Sequence, residues 1–133
     1  MNFAFQKPAR SLTLALALSA GLLGACASMA NAPVSVADGV LTGPNGMTLY
    51  TFDKDTAGSG KSVCNGPCAV NWPPLMAADS DQASGNFSIV TRDDGKKQLA
   101  YKGMPLYFYA KDTKPGDKTG DGFLNGAWKI VKM

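Results

Sequence analysis

One stretch of this sequence occurs twice. Gly46-Met-Thr-Leu-Tyr-Thr-Phe-Asp-Lys-Asp-Thr56 aligns without gaps to Gly103-Met-Pro-Leu-Tyr-Phe-Tyr-Ala-Lys-Asp-Thr113, 57 residues further on, with seven of eleven positions identical. A unit this short cannot cover its own apolar face, so the repeat constrains the pair: the two copies must share one core. Beyond the common stretch each copy runs through a Gly-, Lys- and Asp-rich loop to a tryptophan, Trp72 in the first and Trp128 in the second.

Read at period two, Tyr50 and Phe52 lie on one face of a strand, with Leu49 and Thr51 on the other. Tyr107 and Tyr109 repeat that face in the second copy, opposite Leu106 and Phe108. Asp55 and Asp112 fall just past the strand ends, where a carboxylate can accept backbone N–H bonds and close a turn. Asn45-Gly46 and Lys102-Gly103 mark tight turns before the two copies. Further strands are expected over 39–42, 87–91, 98–101 and 127–132. The chain after residue 25 has no sustained helical periodicity with caps. The expected fold is all-β: a small antiparallel β domain built from two related hairpin repeats.

The amino-terminal segment reads as an address. Lys7 and Arg10 precede an apolar run, Ser11 to Ala25, which is of signal-peptide size and short for a span of a hydrocarbon core about 30 Å thick. It ends in Leu23-Gly24-Ala25-Cys26, the pattern of a bacterial lipobox, in which the signal is cut before Cys26 and its thiol is acylated. The competing reading is an ordinary secretory signal cut after Ala27, Ala30 or Ala32. Three cysteines in an exported chain leave one over; lipid on Cys26 leaves Cys64 and Cys68 as an even pair. The expected organisation is a lipoprotein signal peptide at 1–25, a flexible tether at 26–38 and a β-repeat domain at 39–133. Its repeats would lie at about 39–78 and 95–133.

Composition removes several functions. The chain has no histidine and no glutamate, which excludes a His-containing zinc site, C-x-x-C-H haem attachment and catalytic arrangements built on histidine. After residue 25 there are 11 Lys and Arg against ten aspartates, so no electrostatic footprint for nucleic acid exists.

Both Tyr50-Thr51-Phe52-Asp53-Lys54-Asp55 and Tyr107-Phe108-Tyr109-Ala110-Lys111-Asp112 fit Y-x-[FWY]-x-x-D. With the Cys64–Cys68 segment and Asn71-Trp72-Pro73-Pro74-Leu75, residues 38 to 133 resemble the bacterial secreted-repeat predicted lipoproteins defined by that motif. The resemblance implies an exported β-repeat lipoprotein without an assigned biochemical role.

Cys64-Asn-Gly-Pro-Cys68 supports two readings. Two thiolates could hold Cu(I) with Met47, Met76 or Met104 as a thioether partner, or act as a redox pair. Alternatively, the cysteines form a disulfide closing a turn, as an oxidising compartment favours. The motif residues Tyr50, Phe52, Asp55, Tyr107, Tyr109 and Asp112 are read as structural, against a rival in which the rings stack on a carbohydrate. Trp72 is likewise read as core. Asp117-Lys-Thr-Gly-Asp121-Gly122 resembles the start of a calcium loop, but Trp128 stands where an EF-hand has its bidentate Glu. The reading is therefore a solvated turn-rich loop. Asp53/Asp55 and Asp93/Asp94 fit solvated loops better than carboxylates opposed across a sugar.

The expectation is a non-enzymatic, lipid-anchored envelope protein with a binding or structural role, no catalytic residues, no metal and no cofactor. Its contacts would be the membrane, through lipid on Cys26, and an unknown envelope protein or ligand. Ala27 after Cys26 favours the periplasmic face of the outer membrane if the envelope is Gram-negative. The alternatives are a periplasmic redox or copper-binding protein using Cys64 and Cys68, and a calcium- or carbohydrate-binding surface module.

Overall fold

The structure, a computed structural model, describes residues 34–133 except 79, 80 and 82. The expected signal peptide, Cys26 and most of the expected tether lie outside the described residues. Short strands dominate: β1 (Ser35–Ala37), β2 (Val40–Thr42), β3 (Tyr50–Phe52), β4 (Phe87–Thr91), β5 (Lys97–Tyr101), β6 (Met104–Pro105) and β7 (Trp128–Ile130). Two short helical turns, α1 (Pro67–Asn71) and α2 (Phe123–Gly126), interrupt them. Every strand pairing is antiparallel, so the all-β expectation holds.

The expected tether is too long at its carboxyl end. Residues 35–37 form β1 and pair with β2 through Ser35↔Thr42, Val36↔Leu41 and Ala37↔Val40. The physical reason is the Asp38-Gly39 dipeptide: both residues have positive φ, 51° and 72°, which matches the twist of a two-residue hairpin turn. Likewise β4 pairs with β5 over five residues, so the second unit begins before 95. Five expected strands, β2, β3, β4, β5 and β7, are found within a few residues of their expected limits; β1, β6, α1 and α2 are additions, and the expected strand through Tyr107 and Tyr109 is reduced to isolated bridges from Tyr107 to Tyr50 and Pro74.

The two repeats interlock. Strand β3 of the first copy pairs with β7 at the end of the second, with Phe52 opposite Trp128. Reciprocally, the Tyr107 segment of the second copy lies along the Trp72 segment of the first, where Phe108 N–H donates to Pro73 O at 2.7 Å and Ala110 N–H to Asn71 O at 2.9 Å. Leu41 N–H donates to Val131 O and Leu99 N–H to Leu75 O, both at 2.9 Å. On the axis relating the copies, Tyr50 and Tyr107 exchange both backbone bonds, at 2.8 and 3.0 Å. The Trp128 segment thus completes a two-stranded sheet with the first repeat, and the Trp72 segment is tied to the second by isolated bridges.

The alternating faces of the motif strands build two cores. Leu41, Leu49, Leu75, Leu99, Leu106 and Val131 form an aliphatic one. Tyr50, Phe52, Cys64, Trp72, Tyr107, Tyr109 and Trp128 form an aromatic one. The turn at Gly103 sits against the first repeat's loop: φ is +82° and a Cβ would lie 2.6 Å from Gly58 N, so only glycine fits there.

Candidate functional site

The tyrosine and aspartate shared by the two motifs turn inward, and each meets its partner in the other copy. Tyr50 Oη donates to Asp112 Oδ2 at 2.6 Å, and Tyr107 Oη donates to Asp55 Oδ2 at 2.7 Å. Both tyrosines are 0 % exposed, and Asp55 and Asp112 are 4 % and 8 % exposed. Each carboxylate uses its second oxygen to hold a loop of its own repeat. Asp55 Oδ1 accepts Val63 N–H at 2.8 Å, and Asp112 Oδ1 accepts Thr119 N–H at 3.0 Å and the Thr119 hydroxyl. The tyrosine–aspartate pair is thus a cross-brace that fastens one repeat's strand to the other repeat's turn and loop.

Beside the braces runs a four-ring stack. Phe52 lies on Trp128 (centroids 4.2 Å, planes 13° apart), Trp128 on Trp72 (3.8 Å, 2°) and Trp72 on Tyr109 (4.1 Å, 22°). Tyr50 meets the edge of Trp72 at 5.3 Å and 77°, and Tyr107 meets Trp128 at 5.1 Å and 86°. Exchanging the repeats maps this arrangement onto itself. Stacked and edge-to-face geometries of this kind add to the burial of the rings. Gly120 lies so close to the stack that a Cβ there would come within 2.5 Å of Trp72.

One half carries an extra buried charge. Arg92, 5 % exposed, donates to Gln98 Oε1 (2.7 Å), Cys64 O (2.6 Å), Ser62 Oγ (3.1 Å) and Asn65 Oδ1 (3.2 Å). The Tyr107 proton is committed to Asp55, so Ser62 donates to Tyr107 Oη across 2.5 Å. A directed chain therefore runs from the Arg92 cation through Ser62 and Tyr107 to the Asp55 carboxylate. Gln98 Nε2 donates to Leu106 O at 2.7 Å. Among the described residues no buried side-chain nitrogen or oxygen lacks a partner, as a buried polar network requires. Ser62, Arg92, Gln98 and Thr119 carry no sequence motif and were not among the expected site residues.

Burial pushes the Asp55 carboxyl above its ordinary value and both tyrosine hydroxyls well above theirs, reinforced by the facing aspartates. The tyrosines therefore stay neutral donors. The sign for stability follows: a raised folded value gives a contribution fully present below the ordinary tyrosine value of 10.0 that is lost as pH rises above it. Denaturant melts should show stability falling steeply above about pH 10. A Tyr50→Phe, Tyr107→Phe chain should be less stable at pH 7, by about 1.5–3 kcal/mol per lost bond to a charged acceptor, yet fall less between pH 10 and pH 12. Equal slopes would remove these hydroxyls as the cause.

Cys64 and Cys68 form a disulfide with Cα atoms 5.2 Å apart, bracketing the turn into α1; Cys64 joins the aromatic core. The loop residues are occupied locally. Asp117 accepts the Thr113 and Lys114 N–H groups at 2.9 and 3.2 Å, which holds its carboxyl below the ordinary range. Asp121 accepts Ile130 N–H at 3.1 Å. Among the described residues no three His, Cys, Asp or Glu side chains converge. Of the other acidic candidates, Asp53 makes an exposed ion pair with Lys129 at 3.0 Å and Asp94 Oδ1 accepts Lys96 N–H at 2.9 Å. An open recess of about 300 Å³, lined by Ala77, Ala78, Asp81, Ile89 and Lys97, contains no motif residue.

Aromatic and carboxylate side chains that serve as mutual braces, with the donor of each pair in one copy and the acceptor in the other, define a pseudo-symmetric two-repeat β protein. The chain belongs to the family described as a secreted repeat of unknown function, whose model matches residues 32–76 and 88–132. No curated protein and no solved structure matches the chain. Among the described residues no helix is long and apolar enough to cross a membrane.

Proposed function

We propose that the protein is a lipid-anchored component of the bacterial cell envelope, with a non-enzymatic binding or structural role. One observation carries this reading: Cys64 and Cys68 are bonded to each other, which leaves Cys26 as the remaining cysteine of the three, in the Leu23-Gly24-Ala25-Cys26 pattern. The secreted character of the family supports export. The motif residues support a non-catalytic role, because each is consumed by a contact of the fold. The membrane contact is acyl chains on Cys26, at about 0.8 kcal/mol per buried methylene. The periplasmic face of the outer membrane is the destination in a Gram-negative envelope. An envelope protein or ligand would be met by the exposed loop tips at 57–61 and 114–119.

Cys26→Ser should move the protein from the membrane fraction to the soluble envelope fraction and abolish labelling by a fatty-acid probe. Unchanged fractionation and labelling would reject the lipid anchor. The copper or redox alternative is separated by thiol titration of protein taken from the envelope. Quantitative oxidation, with no Cu(I) retained after anaerobic reduction, supports a structural disulfide.

A further inference from the structure

We infer that the interface between the two repeats also forms between two copies of this chain, by exchange of repeats, so that a second copy of the chain is a binding partner built into the fold. The inference does not depend on lipid anchoring. Its ground is the reciprocity of the contacts. Tyr50 with Asp112 and Tyr107 with Asp55 are the same bond made in both directions. The Tyr50–Tyr107 backbone pair lies on the relating axis, and Trp72 stacks on Trp128 across it. An interface in which residue i meets j while j meets i is isologous, the form taken by two-fold homodimers. Here it is closed within one chain only because residues 78–86 tether the halves.

Nine residues reach about 30 Å when extended, comparable with the diameter of a body this size. First and second repeats of two adjacent molecules can therefore pair crosswise without any new contact. The tether gives the second repeat an effective concentration in the millimolar range, so the closed monomer dominates in dilute solution. Exchange gains where copies are crowded or where one half of a chain is damaged.

Arg92 decides which halves pair. It stands in the second repeat and its guanidinium reaches Ser62, Cys64 and Asn65 of the first. The matching hairpin of the first repeat, β1–β2, closes through Asp38-Gly39 alone, and the first repeat contains no arginine. A second–second pairing would bury the guanidinium without those acceptors, which is strongly unfavourable. A first–first pairing lacks the donor. Exchange between copies keeps first–second pairs and satisfies every bond between repeats, opening only the local turns at Ala78–Asp81 and Ser84–Phe87 in the tether.

The test is complementation between full-length chains with different tags. One chain carries Tyr50→Ala and Trp72→Ala, the other Tyr107→Ala and Trp128→Ala. Each alone loses two fully buried aromatics and should accumulate below about a tenth of the wild-type level. Co-expressed, the intact first repeat of one and the intact second repeat of the other form one whole body. Both chains should then accumulate, and capture of either tag should bring down the other in equal amount. No recovery, recovery without co-purification, or equal rescue when two differently tagged copies of the same variant are co-expressed would overturn the inference.

Discussion

A Trp72→Ala chain is expected to lose about 3–5 kcal/mol of folding free energy, the range for truncating a buried aromatic. The margin for a domain of this size is about 5–15 kcal/mol, so most of the folded population is at risk. The loss is large because Trp72 is 3 % exposed and sits inside the stack, with Trp128 on one face, Tyr109 on the other and Tyr50 at its edge. Its removal opens a cavity between two halves of the molecule, where neither can relax without breaking the other's sheet. Trp128→Ala should cost a similar amount, since Phe52, Trp72 and Tyr107 surround it equivalently. Phe123→Ala is the control. Phe123 is 43 % exposed and meets the stack only at tilted contacts, so it should cost less than half as much. Denaturant melts followed by near-ultraviolet circular dichroism measure all three. Comparable losses for Phe123 and Trp72 would show that the stack does not hold the core.

The second large effect concerns half the molecule. A fragment ending near Ser84 should show no cooperative melt at micromolar concentration. It retains the first motif but loses Asp112, the acceptor for Tyr50, and Tyr107, the donor to Asp55. It also loses β7, the pairing partner of β3, and both Trp128 and Tyr109, which sandwich Trp72. Of the strand pairings only the β1–β2 hairpin remains, with local bonds such as Val63 N–H to Asp55 and Leu49 N–H to Leu41 O and a disulfide across a five-residue turn, worth about 2 kcal/mol in chain entropy. A two-stranded hairpin is marginal in water. A sharp melting transition from this fragment would contradict the interlocked core.

Much of the local architecture was legible. The inward face of Tyr50, Phe52, Tyr107 and Tyr109 followed from period-two alternation, and all four are buried. The expected turn-closing role of Asp55 and Asp112 is met by the N–H groups of Val63 and Thr119. Strand β1 was missed although its signal was present: Asp38-Gly39 is a hairpin dipeptide, but the small residues before it read as tether. The cross-repeat pairing was not legible: each motif turns before its aspartate, with Asp55 N–H on Phe52 O and Asp112 N–H on Tyr109 O, both at 3.0 Å, so spacing along the chain does not say which carboxylate a tyrosine meets. Nothing in the sequence marked Ser62, Arg92 or Gln98. Their roles arise from the meeting of a first-repeat loop with second-repeat strands, and contacts between distant segments leave no periodicity.

By itself the sequence determined that two similar units exist, that they are built from short strands, which side chains face inward, and where turns close. All of these depend on neighbours along the chain: alternation, turn-forming dipeptides and repeated spacing. Only the tertiary structure decided that each unit is finished by the other, because hydrogen-bond donors and acceptors are assigned by proximity in space. Tyr50 finds Asp112, and Trp72 lies flat on Trp128, where the folded chain brings them within a few ångströms.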